Sequence, residues 1–147
     1  MATPPPDVRR QEVAPRFSEA VTHAGVVYLA GQVPERAGGE PIAAQTADVL
    51  ALIDARLRAA GSDRSRLLAA TVHLTDLRRD SAGMNAVWDA WLPAGCAPAR
   101  TCVGVAALAR DEWAVEITVV AAVAPHAPAA GAGNAAAPHG AAAVAPA

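Results

Sequence analysis

Three side chains that could take part in chemistry lie on two predicted strands late in the sequence. Residues 100–105 and 114–123 are β-favouring runs separated by a turn. Because side chains alternate between the faces of a strand, Arg100 and Cys102 share one face of the first, and Glu116 lies on one face of the second. If the two strands pair as a hairpin, which is an assumption, a guanidinium, a thiol and a carboxylate share one surface.

An arginine and a glutamate in this arrangement could bind and hydrolyse a small carboxylic acid. Arginine offers a planar, bidentate grip on a carboxylate that lysine could not match. A neighbouring carboxylate can orient or deprotonate water. The same two residue types opposed across a sheet usually form a structural ion pair, which contributes little at a surface. The spacing alone leaves both interpretations open.

The remaining candidates for chemistry favour structural roles. His73 lies between Val72 and Leu74 on a predicted strand, which is more typical of a histidine on an outer face or at a subunit contact than of a catalytic one. No histidine is near Cys102 in sequence, so a small buried thiol is expected there rather than a nucleophile. The four histidines and two cysteines show no metal-ligand spacing, and we predict no metal.

The composition excludes several classes of enzyme. All twelve basic residues are arginine. Schiff-base chemistry, lysine-anchored pyridoxal phosphate and phosphate loops that use lysine all need an amine that this sequence lacks. There is no dinucleotide-binding fingerprint either, so no cofactor is expected. With a net charge of −2 and no basic stripe, there is no electrostatic reason to expect a nucleic-acid partner.

The distribution of residue types predicts one domain between two unstructured ends. Residues 1–14 are predicted to form a flexible leader, residues 15–123 a single domain, and residues 124–147, rich in Ala, Pro and Gly, a disordered tail. No stretch approaches the ~18 apolar residues of a membrane span, and no signal-peptide pattern opens the sequence. No membrane partner and a cytoplasmic location are therefore expected.

Hydrophobic periodicity predicts an α+β domain with the order β-β-α-β-α-β-β and two helices on one face of a mixed sheet. The first helix should begin with Pro41 and run to Ala60, and Asp80 or Ser81 should cap the second. The predicted strands lie at residues 16–22, 26–30, 69–75, 100–105 and 114–123.

Eight short stretches resemble the RidA (YjgF/YER057c/UK114) family and occur in the family's order. They are RFSEAV (16–21), AGQVP (30–34), AAQT (43–46), AAGS (59–62), ATVHLTD (70–76), MN (84–85), PARTCV (98–103) and VEI (115–117). Each stretch is weak evidence by itself, whereas eight in order are strong evidence. The resemblance covers the whole predicted domain.

The resemblance implies a chorismate-mutase-like fold and a homotrimer with three clefts at the subunit interfaces. It implies that Arg100 anchors a substrate carboxylate and that Glu116 holds or activates water. The same cleft would be lined by Cys102, Gly31, Asn85 and Phe17.

Two departures from the family pattern bear on the substrate more than on the reaction. Phe17 stands where the familiar motif has a tyrosine, so a hydroxyl is missing. Thr118 stands where members often have a second glutamate. Residues 16–18 and 85–91 look more like a sister branch of the wider family than like its archetypal subgroup.

The implied activity is the cofactor-free hydrolysis of reactive 2-imino or enamino acids to 2-keto acids and ammonia, as in a 2-iminobutanoate/2-iminopropanoate deaminase. One alternative is a non-catalytic module that binds small carboxylates in the same cleft. Another is an enzyme dedicated to one particular enamine. A third is the ribonuclease activity sometimes attributed to this family, against which the acidic balance of charge argues.

Overall fold

The computed structural model describes residues 1–3 and 5–125, and its centre is a six-stranded sheet. The strands are β1 (Arg9–Val13), β2 (Ser18–His23), β3 (Val26–Leu29), β4 (Leu67–Leu74), β5 (Ala99–Gly104) and β6 (Val115–Ala122). The helices are α1 (Ile42–Ala59) and α2 (Leu77–Trp91), with a 3₁₀ turn at Arg64–Arg66. The strand order is β1-β2-β3-β6-β4-β5, and only the β4–β5 pair is parallel. The predicted α+β class with two helices on a mixed sheet is confirmed.

Strict alternation along the strands separates a core face from an open face. Every second residue of β6 is buried against the helices, beginning at Val115 and ending at Ala121, and Glu116 and Thr118 lie between them on the other face. The same alternation in β4 buries Val72 and leaves His73 partly exposed. The sheet therefore presents one face to α1 and α2, and no described helix covers its other face.

Helix α1 forms where its apolar spacing predicts it. Val49, Ile53 and Leu57 are fully buried at a four-residue spacing. After the end of α1 the chain changes direction at Gly61, where φ is +78°, a value that favours glycine.

Helix α2 begins earlier than predicted. Asp76 is its N-cap, because the Asp76 carboxylate accepts a hydrogen bond from the backbone N–H of Arg79 at 3.0 Å. The expected caps lie inside the helix instead. The Asp80 carboxylate is buried and paired with the guanidinium of Arg79 at 2.7 Å, so it is not available for capping.

The predicted flexible leader contains a strand. Arg9–Val13 pairs antiparallel with β2 at the edge of the sheet, so the prediction for residues 1–14 is wrong over this segment. An edge strand that is exposed on both faces has no apolar alternation to reveal it in the sequence. Of the predicted tail, residues 126–147 lie outside the described residues.

The predicted hairpin between the last two strands is also wrong. Helix α2 is the crossover of a β-α-β unit, so β5 returns parallel to β4, and β4 then lies between β5 and β6. The register places Arg100 beside Ala70 and Glu116 beside His73. Among the described helices, none is both long enough and apolar enough to cross a membrane.

The burial along α1 gives a test of the core. We expect Leu57→Ala to lower the free energy of unfolding by about 2–5 kcal/mol, because the leucine is fully buried beneath the sheet. Leu52→Ala is the control, because it makes the same change at a half-buried position of the same helix. It should lower the free energy of unfolding by a smaller amount. Urea denaturation at one protein concentration measures both, and equal losses would contradict this packing.

Candidate functional site

Arg100 is held in place by two residues of α2. Its Nη2 atom donates a hydrogen bond to Asn85 Oδ1 at 2.9 Å, and its Cζ lies 5.2 Å from the centre of the Trp88 ring. Asn85 and Trp88 are three residues apart, so both lie on the side of α2 that meets β5. Asn85, which the family resemblance implies as a residue of the same cleft, is thus in contact with Arg100, whereas the assumed pairing of Arg100 with Glu116 within one chain is absent.

The charge of Arg100 is not neutralised by any carboxylate in the described part of the chain. The Arg100 guanidinium is oriented by an amide and an indole but remains exposed. It therefore keeps N–H donors free for a ligand. Two parallel N–H groups of a guanidinium match the two oxygens of a carboxylate. This part of the site can therefore bind a carboxylate.

Cys102 lies two residues along β5 from Arg100 and shares its face. Burial raises the pKa of the Cys102 thiol, and this effect outweighs the opposite influence of the Arg100 charge. The thiol therefore stays protonated near neutral pH, and a protonated thiol is a poor nucleophile. The expected role of a small, partly buried thiol agrees with this environment.

The Glu116 carboxylate packs against the loop that follows β3. A Cβ atom added to Gly31 would overlap the Glu116 carboxylate oxygen, so any larger residue at this position would displace the carboxylate. The loop is fixed to β6 by two backbone hydrogen bonds between Gln32 and Ile117, of 2.9 and 3.0 Å. The structure thus brings together two of the predicted site residues, Gly31 and Glu116.

Arg100 and Glu116 lie on opposite faces of the sheet, so the prediction that they share one surface is wrong. Arg100 aligns with Ala70, which faces the helices, whereas Glu116 aligns with His73 on the open face. Two strand spacings and three residues along β4 separate them, which corresponds to about 14 Å between Cα atoms. The insertion of β4 accounts for the distance, and the three-residue offset between Ala70 and His73, an odd number, accounts for the opposite faces.

The structure places His73 near Glu116, although its sequence context favoured a structural role for this histidine. His73 is directly across the β4–β6 pair from Glu116 and on the same face. Thr71 and Thr118 form the next pair along that face. No spacing signal could have revealed this neighbourhood, because it depends on the register between strands that are forty residues apart.

Phe17 is separate from both groups. It is 54% exposed and lies in a shallow depression with Ala14, Pro15 and Arg16, which contains neither Arg100 nor Glu116.

Comparison with known proteins places the whole arrangement in a family. A family model described as Endoribonuclease L-PSP matches residues 9–123. The RutC family protein YoaB of Escherichia coli K12 is 44% identical over 114 residues, which are 78% of this chain and 96% of that protein. The chain belongs to the RidA (YjgF/YER057c/UK114) family. A RutC family protein of Haemophilus influenzae is 41% identical over 106 residues, covering 72% of this chain and 90% of that protein.

Solved RidA-family structures share the fold. A YjgF family member from Neisseria meningitidis matches with a TM-score of 0.77 and 48% identity, over 82% of this chain and 98% of that one. A YjgF/YER057c/UK114 member from Mycobacterium tuberculosis gives a TM-score of 0.68 and 29% identity, over 76% and 91%. The resemblance identified from eight short stretches is confirmed.

The environment of Cys102 leads to a prediction about its reactivity. Because burial raises the pKa of its thiol, we expect alkylation of Cys102 by iodoacetamide to reach half its maximal rate at a higher pH than in an unstructured cysteine peptide. In Arg100→Ala this pH should rise further, since the guanidinium favours the thiolate. Mass spectrometry of the modified peptide across a pH series measures both. A midpoint at or below that of the free peptide would contradict the assignment.

Proposed function

We propose that this protein hydrolyses 2-imino acids to 2-keto acids and ammonia, at a site that two copies of the chain complete. The observation that best supports the proposal is Arg100, which is oriented by Asn85 and Trp88 but neutralised by no carboxylate in the described residues. A substrate carboxylate supplies the missing partner. Membership of the RidA family supports the same reaction class.

A second copy is needed because one chain does not hold both groups on one surface. Arg100 lies on the helix side of edge strand β5, and Glu116 lies on the open face. The open face also exposes two large apolar side chains, Tyr28 (50%) and Val103 (39%), which a second copy would cover. In a ring with cyclic symmetry, every copy makes the same contact with its neighbour, and no contact surface is left uncovered. A trimer of this kind has three equivalent sites.

In the proposed reaction, Arg100 of one protomer binds the carboxylate through two hydrogen bonds and so fixes the imine carbon. Glu116 of the neighbour accepts one proton from water as the water oxygen bonds to that carbon, and the imine nitrogen takes up a proton from bulk solvent, which gives a carbinolamine. Protonated Glu116 then returns its proton to the amine nitrogen, and the C–N bond breaks with its electron pair leaving on ammonia. The remaining hydroxyl releases its proton to bulk solvent and becomes the keto oxygen, which balances the proton taken up at the imine nitrogen.

The residues of the proposed site can supply the substrate orientation and the proton transfer that this reaction needs. Imine hydrolysis needs orientation of the substrate and one proton transfer, and positioning in a bound complex accelerates such steps strongly. His73 lies across from Glu116 and would be part of the same cleft wall. The protonated Cys102 thiol would line the carboxylate side without forming a covalent intermediate.

The first test compares arginine variants with imino acids generated in situ by an amino-acid oxidase. We expect Arg100→Ala to lower kcat/KM by about 100-fold or more, because two charge-assisted hydrogen bonds are lost. Arg110→Ala is the matched control, since Arg110 is also exposed and stacks on a tryptophan, Trp113, at 5.1 Å. Keto-acid release above the spontaneous rate is the measurement.

Wild-type protein that gives no acceleration with small, branched or aromatic imino acids would overturn the proposed reaction. Tight keto-acid binding without turnover would instead establish a carboxylate-binding module. The description of the family model also names an endoribonuclease, so RNA cleavage is assayed in parallel. The net charge of −2 argues against that activity.

The second test mixes two inactive variants. Arg100→Ala and Glu116→Gln each disable every site when pure. After unfolding and refolding a 1:1 mixture, about one quarter of the sites should combine a wild-type Arg100 with a wild-type Glu116 from a neighbour, because the contact is cyclic. Activity should return to about that fraction of the wild-type value. Simple mixing without refolding is the control, and a refolded mixture that stays inactive would contradict a shared site.

A further inference from the structure

A group of four polar side chains joins the end of α1 to the loop after β3. Arg56, whose side chain is only 16% exposed, donates from Nε to Gln32 Oε1 at 3.1 Å. Its Nη1 atom contacts Glu12 Oε1 at 2.5 Å, and its Nε lies 3.3 Å from Glu19 Oε2. One guanidinium therefore connects a helix, two strands and a loop.

The Gln32 side chain is fully engaged by this group. Gln32 is 3% exposed, and its Nε2 atom donates to Glu19 Oε2 at 3.1 Å and to the backbone oxygen of Ala30 at 3.0 Å. Its Oε1 atom accepts from Arg56. An amide with both hydrogens and its oxygen bonded cannot rotate without leaving a buried polar atom unpaired. The conformation of the loop between residues 30 and 32 is thus fixed from the helix side.

The same loop makes close contact with the Glu116 carboxylate. Gly31 lies between the two residues that the group holds, and a Cβ atom at this position would displace the Glu116 carboxylate. The backbone of Gln32 is bonded to Ile117, the residue after Glu116. Any shift of the loop therefore moves the surface against which the carboxylate rests.

We propose that Arg56, together with Glu19, is a positioning residue that sets the orientation of the Glu116 carboxylate through Gln32 and Gly31. The inference rests on the proposed function for its catalytic consequence. The side-chain contacts of Arg56 are with Gln32, Glu12 and Glu19 and not with Arg100 or its partner Asn85, so we expect Arg56 to affect the step in which water is activated and to leave substrate binding unchanged.

Arginine is suited to this role for two reasons. Its fixed fork reaches Gln32 and the carboxylates from one head group, which a lysine ammonium on a single atom does not reproduce. The hydrogen bond that Arg56 donates to the Glu12 carboxylate raises the pKa of Arg56, so the head group stays charged across the physiological range. Glu12 is itself mostly exposed, whereas Glu19 is mostly buried, and Glu19 is therefore the partner that matters for the loop.

The test uses Arg56→Met and Glu19→Gln in the full-length protein. Each should lower kcat by about 10- to 100-fold with KM within about twofold of wild type, because a small misplacement of a catalytic group reduces the rate without weakening substrate binding. Arg58→Met is the matched control and should leave both constants unchanged, since Arg58 is an exposed arginine two residues along the same helix. Arg56→Lys retains the charge and should recover part of kcat.

A double-mutant cycle separates positioning from a loss of stability. In Gly31→Ala the carboxylate is already displaced, so adding Arg56→Met should reduce kcat by less than twofold further, although it lowers the melting temperature equally in both backgrounds. Fully additive losses in kcat, an effect confined to KM, or an Arg56→Met rate equal to that of Arg58→Met would each overturn the inference. If Arg56→Met does not fold, Glu19→Gln and Arg56→Lys replace it in the cycle.

A second readout does not depend on catalysis. The backbone amide resonances of Gly31 and Ile117 in ¹⁵N-labelled protein should shift in Arg56→Met and Glu19→Gln and remain in place in Arg58→Met. Unshifted resonances would overturn the inference even if the rates changed. A wild-type protein without deaminase activity, but with these shifts, would reject the proposed function and retain the structural link to Glu116.

Discussion

Strand β6 is hydrogen-bonded on both sides, to β3 near its C-terminal end and to β4 along most of its length. Its core-side residues, from Val115 to Ala121, are fully buried beneath the helices, so its register cannot slip by one residue without moving four apolar side chains out of the core. Glu116 alternates with these residues. The burial of its neighbours therefore forces the carboxylate onto the open face, next to Gly31 and across from His73.

The two charged residues of the candidate site, Glu116 and Arg100, are held in position by different kinds of contact. Glu116 rests against the backbone of Gly31, where a Cβ atom would displace it, and the neighbouring loop is fixed by Gln32. Arg100 rests on an indole ring and an amide, both supplied by α2, and keeps its charge available. Arg64, by contrast, is paired with Asp54 and joins α1 to the segment before β4. This contrast supports the proposed role of Arg100 in binding a ligand, whereas Arg64 stabilises the fold.

In the proposed function, the opposite orientation of Arg100 and Glu116 makes catalysis depend on assembly. The sheet of one chain does not direct both groups into one cleft, because they lie on opposite faces and β4 lies between their strands. The apolar residues on the open face give the thermodynamic reason to cover it, and the separated charges give the chemical one. In the proposed assembly the same contact that buries Tyr28 and Val103 also completes the site.

Much of this protein follows from the sequence alone. The spacing of Val49, Ile53 and Leu57 determines α1, alternation determines β4 and β6, and the short stretches around Arg100, Glu116 and Gly31 indicate the family. These signals are local, since helix and strand periods are set by neighbouring residues. Only the tertiary structure decided that Arg9–Val13 joins the sheet, that Asp76 rather than Asp80 caps α2, and that β4 separates β5 from β6. Strand order and register depend on contacts between distant segments, which the periodicity of a single strand does not encode, and they place Arg100 and Glu116 on opposite faces.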